Sequence, residues 1–221
     1  VAANISLIVI VIAPLPEPAP TLIDRYLVAC ADADIPALLV LNKCDLLEGE
    51  QDHRLTLVEE YRALGYEFML TQSNGDLTEL KQRLDNETVA FVGQSGVGKS
   101  TLINAIVPDA AQKTNVISDN SALGQHTTTS TRLIGFGENG ALIDSPGIRE
   151  FGLWHLDHDK IDNGFPEISA FIGHCQYRNC THTHEKQCAI KQAVENKQIL
   201  PRRLDSYLRL VDEITEAQQK S

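Results

Sequence analysis

No apolar run in this 221-residue chain approaches the roughly 20 residues that a helix needs to span a bilayer. The longest, residues 5–13, breaks at once into the proline-rich APLPEPAP and has the length of a buried strand. It has no basic start and no small-residue cleavage site ahead of polar sequence, so it does not read as a signal peptide. A cytosolic protein without membrane attachment is expected. Positive charge is also scarce. Nineteen Lys and Arg against 30 Asp and Glu leave a net charge of −11. That balance excludes a body built throughout as a nucleic-acid surface, which needs clustered cations, and leaves room only for a local basic patch. Internal repeats are missing, and so are low-complexity tracts beyond APLPEPAP. An initiating Met is missing too: the chain opens at Val1, directly in an apolar run, and reads as a fragment of something longer.

What is present suffices for a globular core, with 43% apolar and 22% charged residues. The five cysteines are unevenly placed: Cys30 and Cys44 stand alone, whereas Cys175, Cys180 and Cys188 fall within 14 residues. In a cytosolic chain such a cluster points to a metal rather than to disulfides. From residue 1 to about 153, apolar β-branched runs (5–13, 37–41, 67–71, 88–92, 131–136, 141–143) alternate with amphipathic stretches of helical spacing (21–33, 52–64, 77–84, 99–107). That alternation is the signature of a parallel sheet covered by helices. Residues 108–131 form a long polar stretch of the kind that is functional or mobile in compact domains. After residue 153 the texture turns to His, Cys and charged residues, closing in an amphipathic helix over 200–219 whose shared face is Leu204, Tyr207, Leu208, Val211 and Ile214. Two domains follow, 1–153 and 154–221.

The strand at 88–92 leads into Gly93-Gln94-Ser95-Gly96-Val97-Gly98-Lys99-Ser100-Thr101 and then a helix. A G-x4-G-K-S string between strand and helix is a phosphate loop. Its glycines let backbone N–H groups wrap a phosphate, and the helix N-terminus adds partial positive charge. Lys99 should reach the β- and γ-phosphates and the Ser100 hydroxyl should bind Mg2+. That much says nucleoside triphosphate without naming the base.

The strand ending at Leu41 runs into Asn42-Lys43-Cys44-Asp45, an NKxD turn that reads guanine. Asp45 can accept from the N1–H and exocyclic amine, an arrangement adenine does not offer, so a buried unmet carboxylate disfavours the wrong base. Lys43 should lie along the base and Asn42 should tie the two loops together. Ser73, in the loop after 67–71, is a looser match to a segment that contacts the guanine O6; an ordinary turn fits it equally.

Asp144-Ser145-Pro146-Gly147 is a DxxG motif, with Asp144 near the metal and the Gly147 N–H towards the γ-phosphate. Upstream, Gly124-Gln125-His126-Thr127-Thr128-Thr129 offers three hydroxyls, any of which could ligate Mg2+ when GTP is bound. Ile148 follows DSPG where many GTPases carry a water-positioning Gln. Another group must orient the water, and His126 is preferred over Gln125. The motifs run in the order guanine turn, phosphate loop, switches, whereas ordinary GTPases begin with the phosphate loop. The order is that of a circular permutation.

Cys175-x4-Cys180-x-His182-x5-Cys188 supplies three thiolates and an imidazole, which suits a closed tetrahedral zinc site of structural type, with His174 and His184 as competing ligands. Together, the permuted motifs GQSGVGKS, GQHTTT, DSPGIREFGL and the cysteine–histidine cluster make the chain resemble the RsgA/YjeQ family of circularly permuted GTPases along its whole length. The resemblance implies a three-layer α/β P-loop GTPase fold, circularly permuted, followed by a small, mostly α-helical zinc-binding domain. It implies binding of GTP and GDP with Mg2+, hydrolysis in which His126 matters, structural Zn2+, and a role with the small ribosomal subunit and its rRNA in late maturation. The family also carries an N-terminal OB-fold that contacts rRNA. Nothing here precedes Val1, so this chain is expected to be the GTPase and zinc parts alone, acting as a monomer with weakened ribosome binding. Lys191, Lys197, Arg202, Arg203 and Arg209 are candidates for a basic strip near the C-terminus.

Overall fold

The computed structural model describes residues 4–107, 132–144 and 158–219. They fall into two compact units, one formed by residues 1–18 and 35–151, the other by residues 19–34 and 152–221. Strands β1 (Leu7–Ile12), β2 (Ala37–Leu41), β3 (Glu67–Leu70), β4 (Thr88–Val92), β5 (Arg132–Phe136) and β6 (Gly140–Asp144) make one sheet in the first unit. Its order is β3-β2-β1-β4-β6-β5. Every neighbouring pair is parallel except the β5–β6 hairpin at the edge.

The sequence of β1 explains its central place. LIVIVI is apolar at every position and every residue is buried, as a strand covered on both faces requires. Leu7, Val9 and Val11 share a core with Leu80 and Leu84 of α3 (Thr78–Leu84) and with Leu102 and Ile106 of α4 (Lys99–Ile106). Ile8, Ile10 and Ile12 alternate to the opposite face and are equally buried. Helix α2 (His53–Ala63) also belongs to this unit, capped by the Asp52 carboxylate, which accepts from the Arg54 N–H. The chain order reverses between β1 and β4, so the loops at the carboxyl ends of these strands open at a topological switch point, where open α/β sheets bind ligands.

Helix α1 (Pro20–Asp32) lies in sequence between β1 and β2, yet it belongs to the second unit, packed with α5 (His158–Asn163) and α8 (Pro201–Gln219). Short helices α6 (Pro166–Ser169) and α7 (Ala189–Glu195) are the other helices of that unit among the described residues. Gly164 permits the close approach, since a Cβ there would lie 2.5 Å from the Val28 Cα. On α8 the buried positions are Arg203, Leu204, Ser206, Tyr207, Leu210 and Ile214, while Leu208 and Val211 of the expected face are half-buried.

Arg203 corrects the expected basic strip, because its side chain is wholly buried. Its guanidinium donates to Asp24 Oδ1 at 2.6 Å, to Glu167 Oε1 at 2.6 Å and Oε2 at 3.2 Å, and to the Gly164 carbonyl at 3.3 Å. It also stacks 4.2 Å from the Phe165 ring centre. Two carboxylates and an aromatic face replace the water a guanidinium loses on burial, which is why the cation faces inward. Removing it takes the bidentate partner from Glu167 and the nearest cation from Asp24. Arg203→Ala is expected to lower unfolding stability by about 3–5 kcal/mol, read as a shifted urea midpoint. An unchanged midpoint would contradict the buried network.

Candidate functional site

Loops leave the carboxyl edge of the sheet after β2, β3 and β4, and the side chain of Asn42 joins these three. Asn42 is completely buried. Its N–H donates to the Ile12 carbonyl at 2.8 Å and its Nδ2 to the Val97 carbonyl at 3.0 Å. Its Oδ1 accepts from Thr71 Oγ1 at 3.3 Å and Ser73 Oγ at 3.2 Å. One carboxamide thus connects the end of β2 with the loops after β3 and β4, while the backbone N–H of the same residue holds the end of β1. Thr71 was not singled out by its sequence, although it ends an expected strand; only the fold brings its hydroxyl to Asn42.

The loop after β4 is closely fitted to its neighbours. Gly93 has φ +139°, and a Cβ there would lie 2.1 Å from the Val11 carbonyl oxygen, so no side chain fits. Gly98, at φ +92°, would place a Cβ 2.5 Å from Asn42 Nδ2. Val97 is buried in the core and pins the loop. Among the described residues, the backbone N–H groups of Gln94, Ser95, Gly96, Val97 and Gly98 have no acceptor. A curved run of unsatisfied donors at the head of a helix is a cradle for an anion. Lys99 Nζ folds back over it onto the Gly93 carbonyl at 2.6 Å and the Gln94 carbonyl at 2.7 Å. Ser100 and Thr101 begin α4 with exposed side chains.

Lys43 adopts a left-handed conformation, φ 59°, and its Nζ bridges the Gly96 carbonyl at 2.6 Å and the Leu15 carbonyl at 3.1 Å. Asp45 follows in the 3-10 turn Cys44–Leu46, exposed to solvent beside that bridge. The structure therefore brings together Asn42, Lys43, Asp45, Ser73 and residues 93–101. Strand β6 runs parallel to β4 and delivers its last residue, Asp144, to the same edge. His126, Thr127, Thr128, Thr129 and Gly147 lie outside the described residues, as does the 108–131 stretch.

In the second unit, ligand atoms of Cys175, Cys180, His182 and Cys188 all lie within 4.8 Å of one another. The Cys175 and Cys188 sulfurs are 3.8 Å apart, and His182 Nδ1 is 3.5 Å from the first and 3.3 Å from the second. Thiolates bonded at about 2.3 Å in a regular tetrahedron stand about 3.8 Å apart, so the set fits zinc. His174 and His184 stand outside it. Glu185 accepts from Thr181 Oγ1 and from the Thr181, Thr183 and His184 N–H groups. Those bonds brace the loop that holds His182 at φ 62°. Burial pushes the Cys180 thiol up to about 12. Burial acts on Cys175 in the same sense, yet hydrogen bonds from the Ala189 N–H, the neighbouring thiols and the Ile190 N–H leave it below the ordinary thiol value. The head of α7 thus favours a thiolate at Cys175.

The family model of the RsgA GTPase matches residues 1–154. The small ribosomal subunit biogenesis GTPase RsgA of Histophilus somni (strain 2336) is 48% identical over 223 residues, covering 100% of this chain and 64% of its own. The protein of the same name from Pseudomonas putida (strain KT2440) is 48% identical over 219 residues, covering 98% of this chain and 64% of its own. The chain therefore spans 64% of the length of these curated relatives. Among solved structures, YjeQ from Thermotoga maritima is similar with a TM-score of 0.77 at 28% identity, covering 96% of this chain and 72% of that one. YloQ, a circularly permuted GTPase, gives 0.76 at 31% identity, covering 96% and 69%.

Asn42→Ala leaves the Val97 carbonyl, Thr71 and Ser73 without a shared partner. It is expected to cost about 1–3 kcal/mol of stability, measured by urea unfolding, because each orphaned buried group keeps its desolvation penalty. A loss below the error of the measurement would show that the three loops hold together without the carboxamide.

Proposed function

The chain belongs to the RsgA GTPase family, and from that premise we propose that it binds GTP and hydrolyses it to GDP and phosphate as a switch in small-subunit assembly. The observation that carries this reading is the Asn42 carboxamide, which ties an NKxD turn directly to a phosphate loop whose N–H groups meet no acceptor among the described residues.

In this reading Asp45 accepts from the guanine N1–H and amine, Lys43 flanks the base, and the Ser73 loop borders the O6 edge. Residues Gly93 to Thr101 cradle the phosphates through backbone N–H groups. Lys99, held over the loop by two carbonyls, is placed to exchange them for β- and γ-phosphate oxygens. With nucleotide bound, Mg2+ would neutralise phosphate charge, with the Ser100 hydroxyl and a hydroxyl of Thr127, Thr128 or Thr129 as ligands and Asp144 behind them. The Gly147 N–H would meet the γ-phosphate. His126 would orient the water that attacks phosphorus, since Ile148 has no polar atom to do so. Cys175, Cys180, His182 and Cys188 would hold one structural Zn2+, stabilising a small helical unit with few strands. The domain assignment accompanying this is GTPase over 1–153 and zinc-binding over 154–221, acting in the cytoplasm as a monomer on the small subunit and its rRNA. No described helix is long and apolar enough to cross a membrane.

Turnover of GTP by the full-length protein, with and without small ribosomal subunits, tests the whole reading. Stimulation by the subunits is expected, and its absence would sink the switch role. Asp45→Asn should shift preference from guanine to xanthine nucleotides in a competition assay; retained guanine selectivity would remove Asp45 from base reading. Purified protein should carry close to one zinc per chain by elemental analysis. Stripping the zinc with a chelator should lower the melting temperature, whereas an unchanged melt would argue against a structural metal.

A further inference from the structure

The Asp52–Arg54 pair has no part in the site described above, yet it is withdrawn from solvent. The Asp52 side chain is 1% exposed and that of Arg54 is 8% exposed. Asp52 Oδ1 takes the Arg54 N–H at 2.9 Å and Nε at 2.6 Å, while Oδ2 takes Nη2 and the Glu48 N–H, the latter at 2.8 Å. Arg54 Nη1 continues to the buried Pro14 carbonyl at 3.3 Å. The Arg54 guanidinium holds the Asp52 carboxyl well below the usual carboxylate range. A helix cap requires only the aspartate. Burying an arginine against it carries a desolvation cost that a surface position would avoid, so the arginine's attachments need another explanation.

Those attachments lead to both sides of the guanine-reading turn. Glu48, gripped by Asp52, lies three residues beyond Asp45. Pro14, gripped by Arg54, precedes Leu15, whose carbonyl receives Lys43 Nζ at 3.1 Å. Next comes Pro16, whose Cδ lies 3.6 Å from where a Cβ on Gly96 would be. The fork of Arg54 therefore joins the segment under Lys43 to the segment that follows Asp45. We propose that Asp52 and Arg54 are positioning residues for base selection, holding the 42–45 turn so that Asp45 presents its carboxylate at a fixed angle. This deepens the assignment of Asp45 as the base reader and rests on it.

The test compares dissociation constants for GDP, inosine diphosphate and ADP in the full chain and its variants. Inosine lacks only the exocyclic amine that Asp45 would accept from, so the GDP-to-inosine ratio reports the carboxylate's placement and not phosphate binding. Arg54→Ala should reduce that ratio about fivefold or more, the scale of one lost buried hydrogen bond, and weaken inosine diphosphate less than GDP, because inosine offers Asp45 only the N1–H. Arg54→Lys should fall between, because an ammonium keeps the charge but not the fork. A role in stability alone would lower the melting temperature and leave the ratio as it was. A folded Arg54→Ala protein with the wild-type ratio overturns the proposal. If that variant does not fold, Asp52→Asn, which keeps a capping oxygen, is scored by the same ratio and the same rule. A wild-type protein with no preference for GDP over both competitors would instead refute the Asp45 assignment, and the positioning role with it.

Discussion

Asn42 makes four polar connections in a fully buried place, and they reach three different lengths of chain. The backbone N–H meets β1, the amide nitrogen meets the phosphate loop, and the amide oxygen meets two hydroxyls after β3. A buried carboxamide without these partners would carry a penalty large enough to disfavour the arrangement, so the three loops stay in register with one another. The NKxD turn and the glycine-rich loop after β4 therefore share one mechanical junction. Gly98 shows how close that junction is, since even a methyl group there would collide with Asn42.

The same logic governs the charges. Arg54 and Arg203 are both withdrawn from water, and each is met by carboxylate oxygens and a backbone carbonyl. In the first unit the fork braces segments beside the guanine turn. In the second it joins helices distant in sequence, α1 through Asp24, α6 through Glu167 and α8 through Arg203 itself. Helix α1 is thus covalently continuous with β1 on one side and β2 on the other, while its packing partners come from the far end of the chain. That arrangement is compatible with a permuted order, in which the switch strand β6 is followed directly by the C-terminal unit.

The metal-ligand cluster follows a different principle. Its loop has little apolar content, and its shape is held by Glu185 accepting four hydrogen bonds and by the head of α7 facing Cys175. Three thiols brought this close cannot all ionise beside one another without a cation, which is the chemistry a tetrahedral metal supplies.

Much of this protein was legible from residue order. The β-branched runs located each strand to within two residues at either end, because a buried strand leaves little choice of side chain, and the glycine-rich string after β4 announced an anion cradle. NKxD with the phosphate loop pointed to GTP, and their order pointed to permutation. Other features needed the folded chain. Nothing local marks Thr71 as a partner of Asn42, or distinguishes buried Arg203 from exposed Arg209 six residues on. His182 was the expected ligand ahead of His174 and His184, and the folded loop sets its imidazole beside the thiols. Local sequence determines periodicity and turn chemistry, which depend on neighbours a few residues away. Whether a charge is exposed or buried depends on carboxylates up to 179 residues distant, and only the tertiary structure brings those together.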